Sequence, residues 1–63
     1  MTPLEIKSIR KRLNLTQEAF AMVVGVSFVT INRWEKGLNP PSRLAVEKMN
    51  KLLKRTHDRT TVR

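Results

Sequence analysis

The sequence predicts an all-α fold, a compact domain of four helices or at most five, and three observations support this prediction. Apolar residues recur three and four positions apart along most of the chain, which is the spacing of an amphipathic helix. Capping residues and glycines divide this pattern into short segments. A chain of 63 residues also has room for only one domain with a thin core.

The first predicted helix starts close to the first residue of the chain. Thr2 suits the N-cap, Pro3 suits the first helical position, and Glu5 lies three residues after the cap, so the segment forms a capping box. An apolar face is formed by Ile6, Ile9 and Leu13. Asn14 predicts that this helix ends before Leu15.

The second predicted helix runs from about Gln17 to Val24, with Thr16 as its N-cap. Its inward positions share helical spacing and are Phe20, Ala21 and Val24. Gly25 follows where a left-handed residue is wanted, and it therefore predicts a sharp turn. Because Ala21 is small and lies before this turn, it allows the next helix to approach closely.

The third predicted helix, Phe28 to Lys36, has Ser27 as its N-cap and ends at Gly37. Ile31 and Trp34 are its inward positions. The opposite face meets whatever docks there, and its residues are Phe28, Val29, Asn32, Arg33 and Lys36. At ~1.5 Å per residue this helix is about 13 Å long, comparable with a DNA major groove about 12 Å wide.

The last predicted helix begins after a proline-rich link, at the N-cap Ser42, and runs to about Arg55. Its inward positions are Ala45, Val46, Met49, Leu52 and Leu53. The remaining residues, 56–63, are polar and basic without periodicity. We therefore expect a domain at 1–55 and a basic, disordered tail at 56–63.

Composition limits the classes of function. Thirteen Lys and Arg against five Asp and Glu give a net charge of +8, which indicates a polyanionic partner. With no Cys and one His, the chain offers neither a zinc site nor a nucleophile with an acid and a base, so we expect no metal, no cofactor and no enzymatic activity. No apolar stretch is long enough to span a bilayer and the N-terminus shows no export signal, so the sequence predicts a cytoplasmic protein.

The segment from Leu13 to Ser42 carries the pattern L-x-L-T-Q-E-x-x-A-x-x-x-G-V-S-x-x-T-I-x-R-W-E-K-G-x-x-x-P-S. This pattern resembles the Cro and repressor type of helix-turn-helix, the XRE family. The resemblance implies a lambda-repressor-like domain with its helix-turn-helix at 17–36, and sequence-specific binding of double-stranded DNA as a transcriptional regulator, with repression the expected role. It also implies a homodimer on a two-fold operator, although the family usually has a fifth helix and little sequence here follows the fourth.

The resemblance also assigns roles to residues that contact DNA. Gln17 stands where the family bonds a backbone phosphate, unless it only completes the helix start. Base edges are read from the positions of Ser27, Phe28, Val29, Asn32 and Arg33. Arg33 suits guanine, and Asn32 suits either adenine or a phosphate. Further phosphate contacts are expected from Lys36, Ser42 and Arg43.

Two of the base-reading positions depart from the family, in which polar residues are commoner there. The apolar side chains of Phe28 and Val29 either contact thymine methyls or, for Phe28, pack on Met22 or Val23. An exposed cluster of Met22, Val23 and Phe28 is also a candidate docking patch for a protein partner.

Other residues of the pattern support the reading helix from behind. Similar proteins clamp the first helix to the third with an ion pair, and Arg10 and Glu35 stand at these places, although two solvated side chains would contribute little. The remaining supporting residues are Ala21, Gly25, Ile31 and Trp34.

Two alternatives to a transcriptional regulator stay open. One is an antitoxin-type protein that binds a toxin partner and represses its own operon, which the exposed apolar cluster favours. The other is a membrane-active basic helix, which the cationic final segment favours.

Overall fold

The computed structural model describes the backbone of residues 1–62 and the side chains of residues 1–54. This backbone contains four helices and no strand: α1 (Pro3–Arg12), α2 (Gln17–Val24), α3 (Phe28–Lys36) and α4 (Arg43–Val62). The predicted all-α fold class is confirmed, and a fifth helix is not present within residues 1–62.

Each of the four helices starts at a predicted cap. At α1, the Thr2 hydroxyl accepts from the Glu5 amide at 3.1 Å while the Thr2 amide donates to the Glu5 carboxylate at 2.7 Å. The hydroxyl of Thr16 accepts from the Ala19 amide in the same way. Ser27 and Ser42 cap the other two helices through the amides three residues later.

Left-handed residues end the first three helices. Asn14 has a φ of 60°, Gly25 of 89° and Gly37 of 79°. The amide of Val26 donates back to the Ala21 carbonyl at 2.9 Å, and that of Leu38 donates to the Arg33 carbonyl at 3.0 Å, so both turns satisfy a carbonyl that the helix end leaves open. The predicted ends of α1, α2 and α3 are confirmed.

The core lies between all four helices. The helix α3 packs against α1 and α2, and α4 also packs against α1 and α2. It consists of the buried side chains Ile6, Ile9, Phe20, Ala21, Val24, Ile31, Trp34, Ala45 and Met49. Every one of these stands at a position predicted to face inward, and the predicted Leu13, Val46, Leu52 and Leu53 are partly buried beside them.

The end of the last helix differs from the prediction. The sequence predicts an end near Arg55, whereas the helical backbone of α4 continues to Val62. The segment from 56 to 62 contains neither Gly nor Pro, so no residue in it interrupts the helical hydrogen bonds. The side chains of this segment lie outside the described residues, and the division of the chain at residue 56 into a domain and a basic tail stays a prediction.

Candidate nucleic-acid interface

The outer face of α3 is the candidate reading surface. Ile31 is fully buried and Trp34 is 5% exposed, so these two side chains attach the helix to the core. On the other side Phe28 is 45% exposed and Val29 57% exposed. Arg33 and Lys36 are also exposed, while Asn32 is half-buried. The structure therefore brings the five predicted outer residues onto one surface, with Asn32 at its edge.

Two rows of side chains run along this face, because residues four positions apart lie on the same side of a helix. One row contains Phe28 and Asn32, and the other contains Val29 and Arg33. Each row has an apolar side chain at the N-terminal end of α3 and a polar one a turn later. Ser27 precedes both rows, and its hydroxyl contacts the Thr30 hydroxyl at 2.9 Å as well as the Thr30 amide.

A bidentate ion pair holds α3 at the edge of its buried side. Arg10 on α1 donates from Nε to Oε2 of Glu35 at 2.7 Å and from Nη2 to Oε1 at 3.1 Å. Its Nη1 donates to the Leu15 carbonyl at 3.1 Å. The side chains of Arg10 and Glu35 are 14% and 3% exposed, so the pair is largely removed from water. The contact that the resemblance implies is present, and the alternative of two solvated side chains is wrong.

The protonation of this pair follows from its surroundings. Burial by itself raises the pKa of Glu35, but hydrogen bonds from Arg10 and Gln17 outweigh it, so the pKa of Glu35 is lowered below its ordinary value. The pKa of Arg10 is raised, chiefly by its hydrogen bonds to Glu35. Both groups are therefore charged at neutral pH.

Gln17 connects this ion pair to Asn32 on the outer face of α3. Its Nε2 donates to Oε1 of Glu35 at 3.1 Å, and its Oε1 accepts from Nδ2 of Asn32 at 3.3 Å. A chain of hydrogen bonds thus connects Arg10, Glu35, Gln17 and Asn32 across three helices. The side-chain contacts of Gln17 go beyond the completion of a helix start, and they leave one of its two amide hydrogens for an anion.

Sequence reasoning missed two contacts of the predicted base-reading residues. Nη1 of Arg33 lies 3.5 Å from Oδ1 of Asn39, in the link after α3. Asn32 is held by Gln17, fifteen positions earlier. A spacing of six or fifteen residues across a turn has no periodic signature in the sequence, so neither contact could be found from the pattern alone.

The predicted phosphate-contacting residues lie at helix ends. Gln17 is the first residue of α2, Lys36 is the last of α3, and Ser42 and Arg43 stand at the start of α4. The Arg43 side chain is 94% exposed, and its ion pair with Glu47 is long, with Nε and Oε2 3.8 Å apart. An exposed pair of this kind contributes little, so Arg43 can exchange it for a phosphate at small cost.

Within the part of the chain that the structure describes, no group of His, Cys, Asp or Glu side chains is arranged to hold a metal ion. No helix there has the length and apolar character needed to cross a membrane.

A sequence model of the family described as Helix-turn-helix matches residues 6–59, which include every candidate site residue. The chain belongs to this helix-turn-helix family. The match confirms the XRE-type resemblance, and it makes the chain a DNA-binding domain of a transcription regulator, in a family that is not catalytic. No curated protein and no solved structure gives a significant match.

Membership of the helix-turn-helix family indicates which helix is expected to meet DNA. In this motif the second helix of the pair enters the major groove, and that helix is α3 here. The exposed rows of α3 lie on the side of this helix away from Ile31 and Trp34.

Proposed function

We propose that this protein is a sequence-specific transcriptional repressor that inserts α3 into the major groove of double-stranded DNA and acts as a homodimer in the cytoplasm. The observation that carries the proposal is the contrast between the two sides of α3. The inner side is fixed by Ile31, Trp34 and the nearly buried carboxylate of Glu35. The outer side presents five side chains that the core does not use.

Three of the predicted base-reading residues carry polar groups that suit this role. Arg33 pairs its planar guanidinium with O6 and N7 of a guanine, which discriminates by roughly 1 to 3 kcal/mol. Asn32 keeps its Oδ1 and one amide hydrogen free of the Gln17 contact, and this pair of groups matches N6 and N7 of adenine. Ser27 lies where its hydroxyl reaches a base edge or the sugar-phosphate backbone.

Phosphate contacts set the register of the helix in the groove. Gln17, Lys36, Ser42 and Arg43 bind the backbone on both sides of α3, with the free amides at the starts of α2 and α4. The net charge of +8 supports this assignment, because phosphate neutralisation supplies most of the sequence-independent affinity.

A homodimer places two reading helices on one face of the duplex. Two half-sites would then lie about 34 Å apart, which is one turn of B-DNA. Repression follows if such a site overlaps a promoter, because the bound dimer excludes polymerase.

Selection of binders from a random duplex library tests this function directly. We expect a single enriched motif with two-fold symmetry and one-turn spacing of its halves, and a steep loss of affinity with added salt. A library in which no sequence is enriched would contradict sequence-specific recognition. A motif without internal symmetry would contradict the homodimer alone.

The exposed apolar cluster favours a second candidate, an antitoxin-type protein that also represses its own operon. Met22 is 83% exposed, Val23 48% and Phe28 45%, and exposed apolar side chains that form a patch are typical of a protein-binding surface. Co-purification of a small neighbouring gene product, lost on Met22→Ser, would support this role. A clean homodimer with no bound protein, together with an operator distant from any such gene, would count against it.

A further inference from the structure

The two rows of α3 divide its reading face into an apolar end and a polar end. Phe28 and Val29 form the apolar end at the start of the helix, and Asn32 and Arg33 form the polar end one turn later. Both rows change from an apolar to a polar side chain at the same turn of α3, so the boundary between the two ends crosses the whole width of the face. The inference drawn from it rests on the DNA-binding function proposed above.

The apolar end is not part of the protein core. Phe28 is 45% exposed and Val29 57% exposed, whereas the inner positions Ile31 and Trp34 are buried. Removal of exposed apolar surface from water is favourable. An occupant that covers Phe28 and Val29 therefore adds to affinity even if it forms no hydrogen bond with them.

The charges around the apolar end indicate what kind of occupant this is. Arg33 and Lys36 follow it on the same helix, and the whole chain carries a net charge of +8. A polyanion complements these cations, whereas a purely apolar protein surface would leave them desolvated. The apolar end is also continuous with the face that carries the polar reading residues, so DNA covers both ends in one docking.

Base edges offer one group that suits these side chains. Phe and Val neither donate nor accept hydrogen bonds, so they leave the polar edge of a guanine, cytosine or adenine unpaired. The 5-methyl group of thymine is the apolar feature of the major groove. We propose that Phe28 and Val29 read thymine methyl groups, and that each half-site combines thymines at the N-terminal end of α3 with a guanine at Arg33.

Helix geometry gives the spacing of this half-site. Val29 and Arg33 are four residues apart, which at ~1.5 Å per residue is about 6 Å along the helix. Base pairs follow one another at ~3.4 Å, so we expect the methyl read by Val29 and the guanine read by Arg33 to lie within about two base pairs of each other. The two features therefore occur in a fixed order and at a fixed distance within the selected motif.

Replacement of single thymines by deoxyuridine tests the proposal, because it removes the 5-methyl group and keeps every hydrogen-bonding group. The probe is the duplex selected from the random library, with one thymine replaced at a time. We expect about fourfold weaker binding for each contacted methyl, which is the ~0.8 kcal/mol of one buried methylene-sized group. Thymines elsewhere in the duplex are expected to tolerate the replacement.

Two variants connect the lost methyl to the proposed side chains. In Phe28→Ala and Val29→Ala, the affinity for the thymine duplex falls and one deoxyuridine replacement no longer has an effect. Leu44→Ala is the matched control, because Leu44 is 64% exposed on α4 and outside the reading face, so it keeps the full response to deoxyuridine. Thermal unfolding of each variant tests whether the variant is folded.

The outcomes distinguish this inference from the function on which it rests. Deoxyuridine replacement without effect at every thymine would overturn the methyl readout, while the selected motif would still support sequence-specific binding. Unchanged DNA affinity of Phe28→Ala, with loss of a co-purified protein, would overturn it in favour of a protein-docking surface. If no duplex is enriched at all, the proposed function itself fails.

Discussion

Arg10 and Glu35 lie 25 positions apart in the sequence and are joined by two hydrogen bonds, from Nε to Oε2 at 2.7 Å and from Nη2 to Oε1 at 3.1 Å. This pair fixes α3 to α1 beside the row that contains Phe28 and Asn32. It thereby links the stability of the domain to the orientation of the residues that we propose to contact DNA.

Removal of Arg10 should destabilise the domain strongly. Arg10→Met leaves the nearly buried carboxylate of Glu35 without its cation, and we expect the free energy of unfolding to fall by about 3 kcal/mol. Arg10→Lys keeps the charge but not the bidentate geometry, so a smaller loss is expected. Urea unfolding measures both values.

The double variant Arg10→Met with Glu35→Leu is the control for this prediction. It removes both charges, and it should recover most of the lost stability because no unpaired carboxylate remains. If the double variant is as unstable as Arg10→Met alone, packing of the Arg10 side chain, and not its charge, is what matters.

Stability should depend on pH through Glu35. Its pKa is lower in the folded protein than the ordinary 4.5, so the carboxylate stabilises the fold above that value and this contribution is lost as the pH falls below it. We expect the free energy of unfolding to decrease below about pH 4.5, and to decrease less steeply in Glu35→Gln.

Among the side chains that the structure describes, Glu5 also has a lowered pKa, because its carboxylate accepts hydrogen bonds from Thr2. Glu5→Gln therefore serves as the comparison for an exposed carboxylate and should flatten the pH profile less than Glu35→Gln. Parallel profiles of wild type and Glu35→Gln from pH 7 to 3 would rule out Glu35 as a source of acid sensitivity.

A side chain at position 25, in the turn between α2 and α3, should destabilise the domain. The backbone there has a φ of 89°, and a Cβ would lie 3.1 Å from Nζ of Lys48. We expect Gly25→Ala to cost about 1 to 2 kcal/mol in unfolding free energy, because the left-handed conformation is strained for alanine. Asparagine tolerates this conformation better, so Gly25→Asn should be less destabilising.

Lys48→Ala in the Gly25→Ala background separates backbone strain from crowding. Since Nζ is the far end of a flexible side chain, we expect little recovery from this change. Full recovery would show that contact with Lys48, and not the positive φ, limits position 25.

Arg33 and Lys36 should affect DNA binding in different ways. Arg33→Ala removes the proposed guanine contact and should change the preferred sequence in a library selection. Lys36→Ala removes the proposed phosphate contact, so it should weaken the binding of all duplexes alike and reduce the slope of log affinity against log salt by about one.

The two variants are each other's control, because both remove one cation from the exposed face of the same helix. An equal loss of affinity for every duplex in Arg33→Ala would mean that Arg33 binds only the backbone. A changed sequence preference in Lys36→Ala would show that a residue at the C-terminal end of α3 also reads bases.

Local chemistry explains why the helices could be predicted. The bounds of α2 and α3 follow from caps and stops that act within four residues, such as Thr16, Ser27 and Gly25. The core positions could be predicted for the same reason, since helical periodicity alone separates an inner stripe from an outer one. The end of α4 was predicted wrongly, because a polar segment without periodicity can still continue a helix when no residue breaks it.

The candidate site divides between what the sequence and the tertiary structure determine. By itself, the sequence determined the four helices, the outer face of α3 and the positive charge, because these depend on residue type and spacing along the chain. Only the tertiary structure decided that Gln17 lies between Glu35 and Asn32, and that Arg33 lies beside Asn39. These contacts depend on how helices and turns pack against one another, and the packing sets distances between side chains that no local pattern encodes.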